Sequence, residues 1–260
     1  MSTAPPLALV TAGGRRVGAA ICAALARAGW RLAIHGRTDA TPEPALAAVL
    51  AETGATWAGF TADLCDPAAV DSLWRDVCAW GGVPSLLVNN AALFTNDTPA
   101  TATAESIRRH QAINCEAPVR LTQLLWQHTP DAARACSICL LDQRIAQPNA
   151  DQFSYTLSKL ALAGAVRVLA RSLAPRLRVN AVAPGLTLPT DDYTADQMQR
   201  LRADMPLETL PDPAAIASAV LWLASADQVT NQTLYVDAGA HMQYYARDFM
   251  FMETDGPTPA

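Results

Sequence analysis

Tyr155 and Lys159 stand four residues apart in the run Phe153-Ser154-Tyr155-Thr156-Leu157-Ser158-Lys159, and Asp142 lies thirteen residues before the tyrosine. Four residues is just over one helical turn, so on a helix the phenol and the ammonium group share a face and reach one cavity. A phenol with a pKa of about 10 exchanges protons poorly at neutral pH, and a neighbouring cation that stabilises the phenolate lowers that value. The pair is suited to proton transfer onto a substrate. Amphipathic helices also carry Tyr and Lys at this spacing as solvated side chains, so the weight of the reading falls on the elements around them.

Those elements belong to a compact chain. Hydrophobic residues make up 51% of the 260 and charged residues 17%, enough apolar material for a large core and too little charge for disorder. No composition shift divides the chain, and one domain is expected over 1–260, with its core at about 6–242 and a tail at 243–260. The net charge of −5 and the scattered arginines argue against nucleic acid as a partner. Apolar runs stay below the roughly 18–20 residues of a membrane span, and the start, Met-Ser-Thr-Ala-Pro-Pro, lacks a charged segment followed by an apolar one. No membrane association and a cytoplasmic location are the expectation. The six cysteines show neither a disulfide framework nor zinc spacing, so no metal is expected. Cys136 and Cys139 form a CxxC on an apparent strand, where a three-residue offset turns the thiols to opposite faces.

Apolar runs at 7–10, 31–35, 56–60, 85–89, 135–141, 178–182 and 233–236 predict seven strands. Between them, helical patterns cover 17–28, 42–53, 67–80, 103–128, the segment from Tyr155 to about 174, and 213–224. Strands alternating with helices imply right-handed crossovers and a parallel sheet covered on both faces. The predicted fold is therefore α/β, a single Rossmann-type doubly wound domain with a seven-stranded parallel sheet. Ligands in such folds bind beyond the carboxyl ends of the strands, where Gly13, Asp63, Asn90, Asp142, Pro184 and Gly185 fall.

The first of these turns reads Thr11-Ala12-Gly13-Gly14-Arg15-Arg16-Val17-Gly18. It permits close backbone approach and opens a helix whose N-terminus favours a phosphate, in the first strand-helix unit where a dinucleotide is expected. The second strand ends His35-Gly36-Arg37-Thr38, with no acid at its tip to bind a ribose 2′-hydroxyl. Arg37, helped by Arg15, can neutralise a 2′-phosphate and Thr38 can donate to it. NADPH is preferred to NADH, with Asp39 as a local counterweight.

Together these motifs resemble the short-chain dehydrogenase/reductase family over about 6–242. Residues 11–18 match its glycine-rich turn, Asp63-Leu64 its adenine-side pair, and Asn89-Asn90-Ala91-Ala92 its NNAG. Asn114 matches the helix asparagine of the catalytic tetrad, Tyr155 to Lys159 the YxxxK, Pro184-Gly185 the nicotinamide-side turn, and 236–239 the closing VDGG. The resemblance implies a cofactor site made of Thr11, Gly13, Arg15, Arg16, Val17, His35, Arg37, Thr38, Asp63, Leu64, Asn90, Ala91, Tyr155, Lys159, Pro184, Gly185 and Thr187. Two departures resemble the pteridine reductase and dihydromonapterin reductase branch: Arg16 in place of the middle glycine, and Asp142 in place of the catalytic serine. Phe94 matches the phenylalanine that in that branch stacks a pterin against the nicotinamide. Ala12, Asn231 and Ala238 also replace glycines of the family pattern, and Ala12 in particular bears on the approach of a pyrophosphate.

The resemblance implies catalysis by Asp142, Tyr155, Lys159 and Asn114, with substrate contacts from Arg16, Phe94, Asp142, Tyr155 and Leu186. Lys159 is expected to hold the nicotinamide ribose and tune Tyr155, and Asn114 to position a water that links the lysine to solvent. A carboxylate at 142 repels negative charge developing on a carbonyl oxygen, whereas a dihydropterin takes hydride at C6 and a proton at N5, which an Asp bonded to Tyr can relay. The expected function is NADPH-dependent reduction of a dihydropterin or dihydrofolate to the tetrahydro form. The alternatives are a general short-chain ketone reductase and a non-catalytic NADPH-sensing regulator. By resemblance a homotetramer is expected. The apolar stretch 241–252 is expected either to pack on a neighbouring subunit or to fold back on its own core, 254–260 to be disordered, and 188–205 to be the mobile substrate loop.

Overall fold

In the computed structural model, which describes residues 5–188 and 193–252, strand β1 (Leu7–Val10) runs into helix α1 (Arg16–Arg27). The alternation continues through β2 (Arg31–Gly36), α2 (Pro44–Thr53), β3 (Trp57–Thr61), α3 (Pro67–Gly81) and β4 (Leu86–Asn89). It then passes through α4 (Ala104–Gln111), α5 (Ala117–His128), β5 (Ala135–Leu140), α6 (Phe153–Leu173) and β6 (Leu177–Pro184). Helices α7 (Ala195–Asp204) and α8 (Pro213–Ser225) lead to β7 (Thr233–Val236). All seven strands pair in parallel in the order β3-β2-β1-β4-β5-β6-β7. The chain order reverses between β1 and β4, and the carboxyl ends of the strands open a crevice there.

The strands are apolar on both sides because both sides are covered. Leu7 and Leu9 of β1 face a core shared with α3, α5 and α6, while Ala8 and Val10 face one shared with α1, α2 and α8. Cys136 and Cys139 of β5 fall in opposite cores, and all six cysteines are free thiols. Local signals start the helices where the sequence marks them: Asp66 and Asp212 cap α3 and α8 with their carboxylates, each followed by a proline in the first turn. Among the described residues no helix is long and apolar enough to cross a membrane.

The structure refines the sequence reading in three places that bear on the site, the third by taking one of the two courses expected for the tail. The single helix expected over 103–128 is interrupted between α4 and α5 by a π-helical turn, Ala112–Glu116, which carries Asn114. The segment expected to be a mobile loop contains α7, started by a capping box in which the Thr194 hydroxyl accepts from the Gln197 backbone and the Gln197 side chain accepts from the Thr194 backbone. The tail folds back on its own chain: Phe249 is buried with Leu201, Met205 and Ala240, and Tyr193 and Tyr245 pack around them. Positions 189, 191 and 192 of the loop and the expected disorder of 254–260 lie outside the described residues.

Candidate active site

Asp142 follows the end of β5 and caps a short 3-10 turn, Gln143–Ile145, by accepting from the Arg144 backbone N–H at 2.9 Å. Helix α6 brings Tyr155 to it, and the phenol donates to Asp142 Oδ2 at 2.9 Å. Lys159, one turn further on, is 2% exposed and donates through Nζ to the Leu140 carbonyl at 2.6 Å, with the ammonium 5.6 Å from the Tyr155 ring centre. Phe94 meets the Tyr155 ring edge-on at 4.7 Å between centres, stays 43% exposed and lines the cleft. These side chains, with Arg16, Val17, Asn90, Pro184, Gly185, Leu186 and Thr187, line one cleft of about 600 Å³. Asp142, Tyr155, Lys159, Phe94, Arg16 and Leu186 thus come together from five separate segments of the chain.

The electrostatics of the tyrosine run opposite to the sequence expectation. Burial first, and then the Asp142 carboxylate, push the Tyr155 phenol well above its ordinary range, and the cation that opposes them is Arg144. The nearby charge that the spacing of Tyr155 and Lys159 could not reveal is the negative one. Tyr155 is a protonated donor at neutral pH. Burial also disfavours the charged form of Lys159, bringing its pKa down to about 8, although the Asp142 carboxylate works against that shift. Arg144 holds its charge more firmly than usual: burial opposes it, and the carboxylates of Asp142 and Asp248 more than compensate.

Asn114 is fully buried in the π-helical turn. Its carbonyl accepts from the Leu93 N–H at 2.7 Å, and its amide donates to the Leu93 carbonyl and to the Ser158 hydroxyl, both at 2.9 Å. It therefore clamps the segment that presents Phe94 to the helix that presents Tyr155. A π-helical turn at such a junction is a recurrent feature of functional sites.

Around the first turn several expected ligands are engaged within the protein. The Thr11 hydroxyl accepts from the Asn90 and Ala91 N–H groups, each at 2.9 Å, and joins the tips of β1 and β4. His35 is 2% exposed, accepts from the Ala12 N–H through Nδ1 and donates from Nε2 to the Ala62 carbonyl, and burial lowers its pKa, so it is neutral and structural. Arg15 pairs with Asp39 at 3.1 Å. Thr11 and His35 thus brace the turn from within the protein. Arg37 has no ion-pair partner among the described residues, and it lines a recess at the tip of β2 with Gly14, Arg15 and Thr38. A neighbouring recess is lined by Asp63, Leu64, Ala91 and Ile113, with Asp63 fixed by accepting from the Cys65 N–H. The Thr187 hydroxyl donates to the Gly185 carbonyl and folds that wall onto the cleft.

Arg144 and Asp248 went unread in the sequence. Arg144 is visible there as a cation two residues after Asp142; Asp248 gives no local signal, since it reaches the site from 104 residues beyond Arg144. Met250 and Tyr193 also line the cleft.

A family model described as enoyl-(acyl carrier protein) reductase matches residues 12–241. The 3-oxoacyl-[acyl-carrier-protein] reductase FabG of Escherichia coli is 30% identical over 241 residues, covering 91% of this chain and 97% of FabG. The crystal structure of FolM alternative dihydrofolate reductase 1 from Brucella canis, complexed with NADP, superposes with a TM-score of 0.87 at 34% identity, covering 94% of this chain and 97% of that one. A short-chain dehydrogenase/reductase from Serratia marcescens superposes with a TM-score of 0.81 at 28% identity, covering 90% and 97%. With the parallel sheet, the first turn and the Tyr155–Lys159 helix in place, this chain belongs to the short-chain dehydrogenase/reductase family.

Proposed function

We propose that the protein is an NADPH-dependent reductase of dihydropterins, carried by one observation: Tyr155 donates its hydrogen bond to a carboxylate, Asp142 Oδ2, at 2.9 Å. The likeness to FolM, a dihydrofolate reductase by name, supports the reading.

The first turn fits a dinucleotide. A Cβ on Gly18 would lie 2.1 Å from the Ala12 carbonyl, so only glycine allows this closeness of turn and helix. The Val17 and Gly18 N–H groups at the start of α1 have no acceptor among the described residues and are available to a pyrophosphate. Arg37 and Thr38 would hold a 2′-phosphate, Asp63 and Leu64 the adenine side, and Lys159 the nicotinamide ribose. When bound, NADPH supplies the hydride that adds to C6 of the pterin. Phe94, exposed in the cleft lining, would stack the flat pterin ring, and Arg16 of the same lining would meet its polar edge.

Tyr155 delivers the proton to N5. Its phenolate would form beside Asp142, and two cations offset that charge, Arg144 at 5.2 Å and Lys159 at 5.6 Å from the ring centre. A proton taken up from solvent and passed through Asp142 would then restore the phenol. A ketone fares worse, because an oxygen gaining negative charge beside Tyr155 meets the Asp142 carboxylate where a hydroxyl donor would stabilise it.

The test follows NADPH absorbance with 7,8-dihydrobiopterin, dihydromonapterin or dihydrofolate, against a panel of small ketones and with NADH as the cofactor control. Rapid consumption with a dihydropterin and NADPH, with little from ketones, is the expected outcome. Faster turnover of ketones would assign the chain instead to the ketoreductases that FabG exemplifies by name.

A further inference from the structure

The Arg144 side chain is 6% exposed and joins three parts of the chain. Its backbone N–H and its Nε both donate to Asp142 Oδ1, at 2.9 and 3.2 Å, which leaves Oδ2 for the Tyr155 phenol. One terminal nitrogen donates to Gln152 Oε1 at 2.9 Å, and the other donates to Asp248 Oδ2 at 2.6 Å. The guanidinium also lies over the rings of Tyr155 and Phe94, 5.2 and 5.7 Å from their centres. Gln152 is buried in the left-handed region, at φ 45°, a conformation that surrounding contacts must hold in place. The Arg144 side chain is one of those contacts.

Asp248 is delivered by a tail fastened on two sides. The Asp151 carboxylate accepts from Arg247 Nε and from the Asp248 N–H, both at 2.8 Å, and Gln197 of α7 donates to the Phe249 carbonyl at 3.2 Å. Asp248, Phe249 and Met250 then stand as a wall of the cleft. The buried cluster holds two cations, Arg144 and Lys159, and two carboxylates, Asp142 and Asp248. A buried charge stripped of its partner is strongly unfavourable, so the geometry of Arg144 over Asp142 depends on the tail staying docked.

We propose that Arg144 is a positioning residue that fixes the Asp142 carboxylate for Tyr155, and that docking of the C-terminal tail through Asp248 completes the active site within a single chain. The kinetic readout of this proposal rests on the dihydropterin reading; the structural readout does not.

The experiment compares wild type with Arg144→Lys, which keeps the charge but cannot fork between two carboxylates, and with the nearly isosteric Asp248→Asn. NADPH binding, read by fluorescence, establishes that each variant is folded. The steady-state kinetics use 7,8-dihydrobiopterin, and amide hydrogen exchange reads the Asp248 and Met250 N–H groups. The proposal expects kcat to fall roughly ten- to hundredfold in both variants with KM for NADPH unchanged, the size of effect that a small misplacement of a catalytic group produces. It also expects exchange at the two amides to quicken by at least about tenfold as the tail opens locally. A kcat within about twofold of wild type in both variants overturns the positioning role, and unaltered exchange overturns the link to the tail. If wild type does not reduce 7,8-dihydrobiopterin, the substrate reading fails, and exchange in the two variants alone decides: faster exchange upholds the coupling of Arg144 to the tail, and unchanged exchange ends it.

Discussion

Tyr155 and Lys159 are both buried at the base of the cleft and their proton affinities move in opposite directions. The phenol is pushed up by burial and by Asp142, and the ammonium is brought down to about 8 by burial. A phenolate formed during turnover loses one of its two stabilising cations when the lysine gives up its charge. The free enzyme's kcat/KM for NADPH is therefore expected to fall as pH rises through about 8, since this ratio reports groups of the free enzyme. Stability moves the other way. Between about 8 and the unfolded value, the unfolded chain holds a proton on Lys159 that the folded chain has released, so this group's contribution to stability rises with pH across that window. An activity profile falling near 8 while the melting temperature does not would match; a profile flat to pH 10 would remove the lysine's charge from the account.

At the scale of elements, four positions where the family pattern has glycine show what was legible and what was not. Ala12, Arg16, Asn231 and Ala238 all lie in the left-handed region, with φ of 49°, 54°, 59° and 55°. The turns kept the glycine conformation after losing the glycine, and side chains brace at least one of them, since Glu43 accepts from the Arg16 N–H at 3.2 Å. An L-residue pays for this conformation with about 1–2 kcal/mol, partly offset by the extra freedom of glycine in the unfolded chain. Ala12→Gly and Ala238→Gly are each expected to stabilise the protein by about 1 kcal/mol, raising Tm by about 2–4 °C. A fall in Tm for both would mean that the methyl groups pack better than their backbone angles suggest. Strands and helices were legible because β1, β4 and β5 are buried on both faces and read as unbroken apolar runs. The π-helical turn at Ala112–Glu116 was not, because one extra residue per turn leaves the apolar spacing nearly unchanged. Helix α7 could have been read from the Thr194–Gln197 capping box.

Across the whole molecule, the sheet order brings Asp142 after β5, Tyr155 on α6, Phe94 after β4 and Arg16 on α1 to one crevice, as their places after the strands imply. The tail was harder to read, because an apolar stretch such as Tyr244 to Met252 carries no mark of which surface covers it. Only the fold reveals that Asp248 meets Arg144 and that the tail walls the cleft. The central claim is that a carboxylate at 142 selects a substrate that takes its proton on nitrogen over one that develops charge on oxygen. The most direct test is the ratio of kcat/KM for 7,8-dihydrobiopterin to that for a small ketone, measured in wild type and in Asp142→Ser. General acid-base participation contributes about 10²–10⁴-fold, so the ratio is predicted to fall at least about a hundredfold in the variant, through a slower pterin reaction and a faster ketone one. A ratio that stays the same when the carboxylate becomes a hydroxyl would contradict the account.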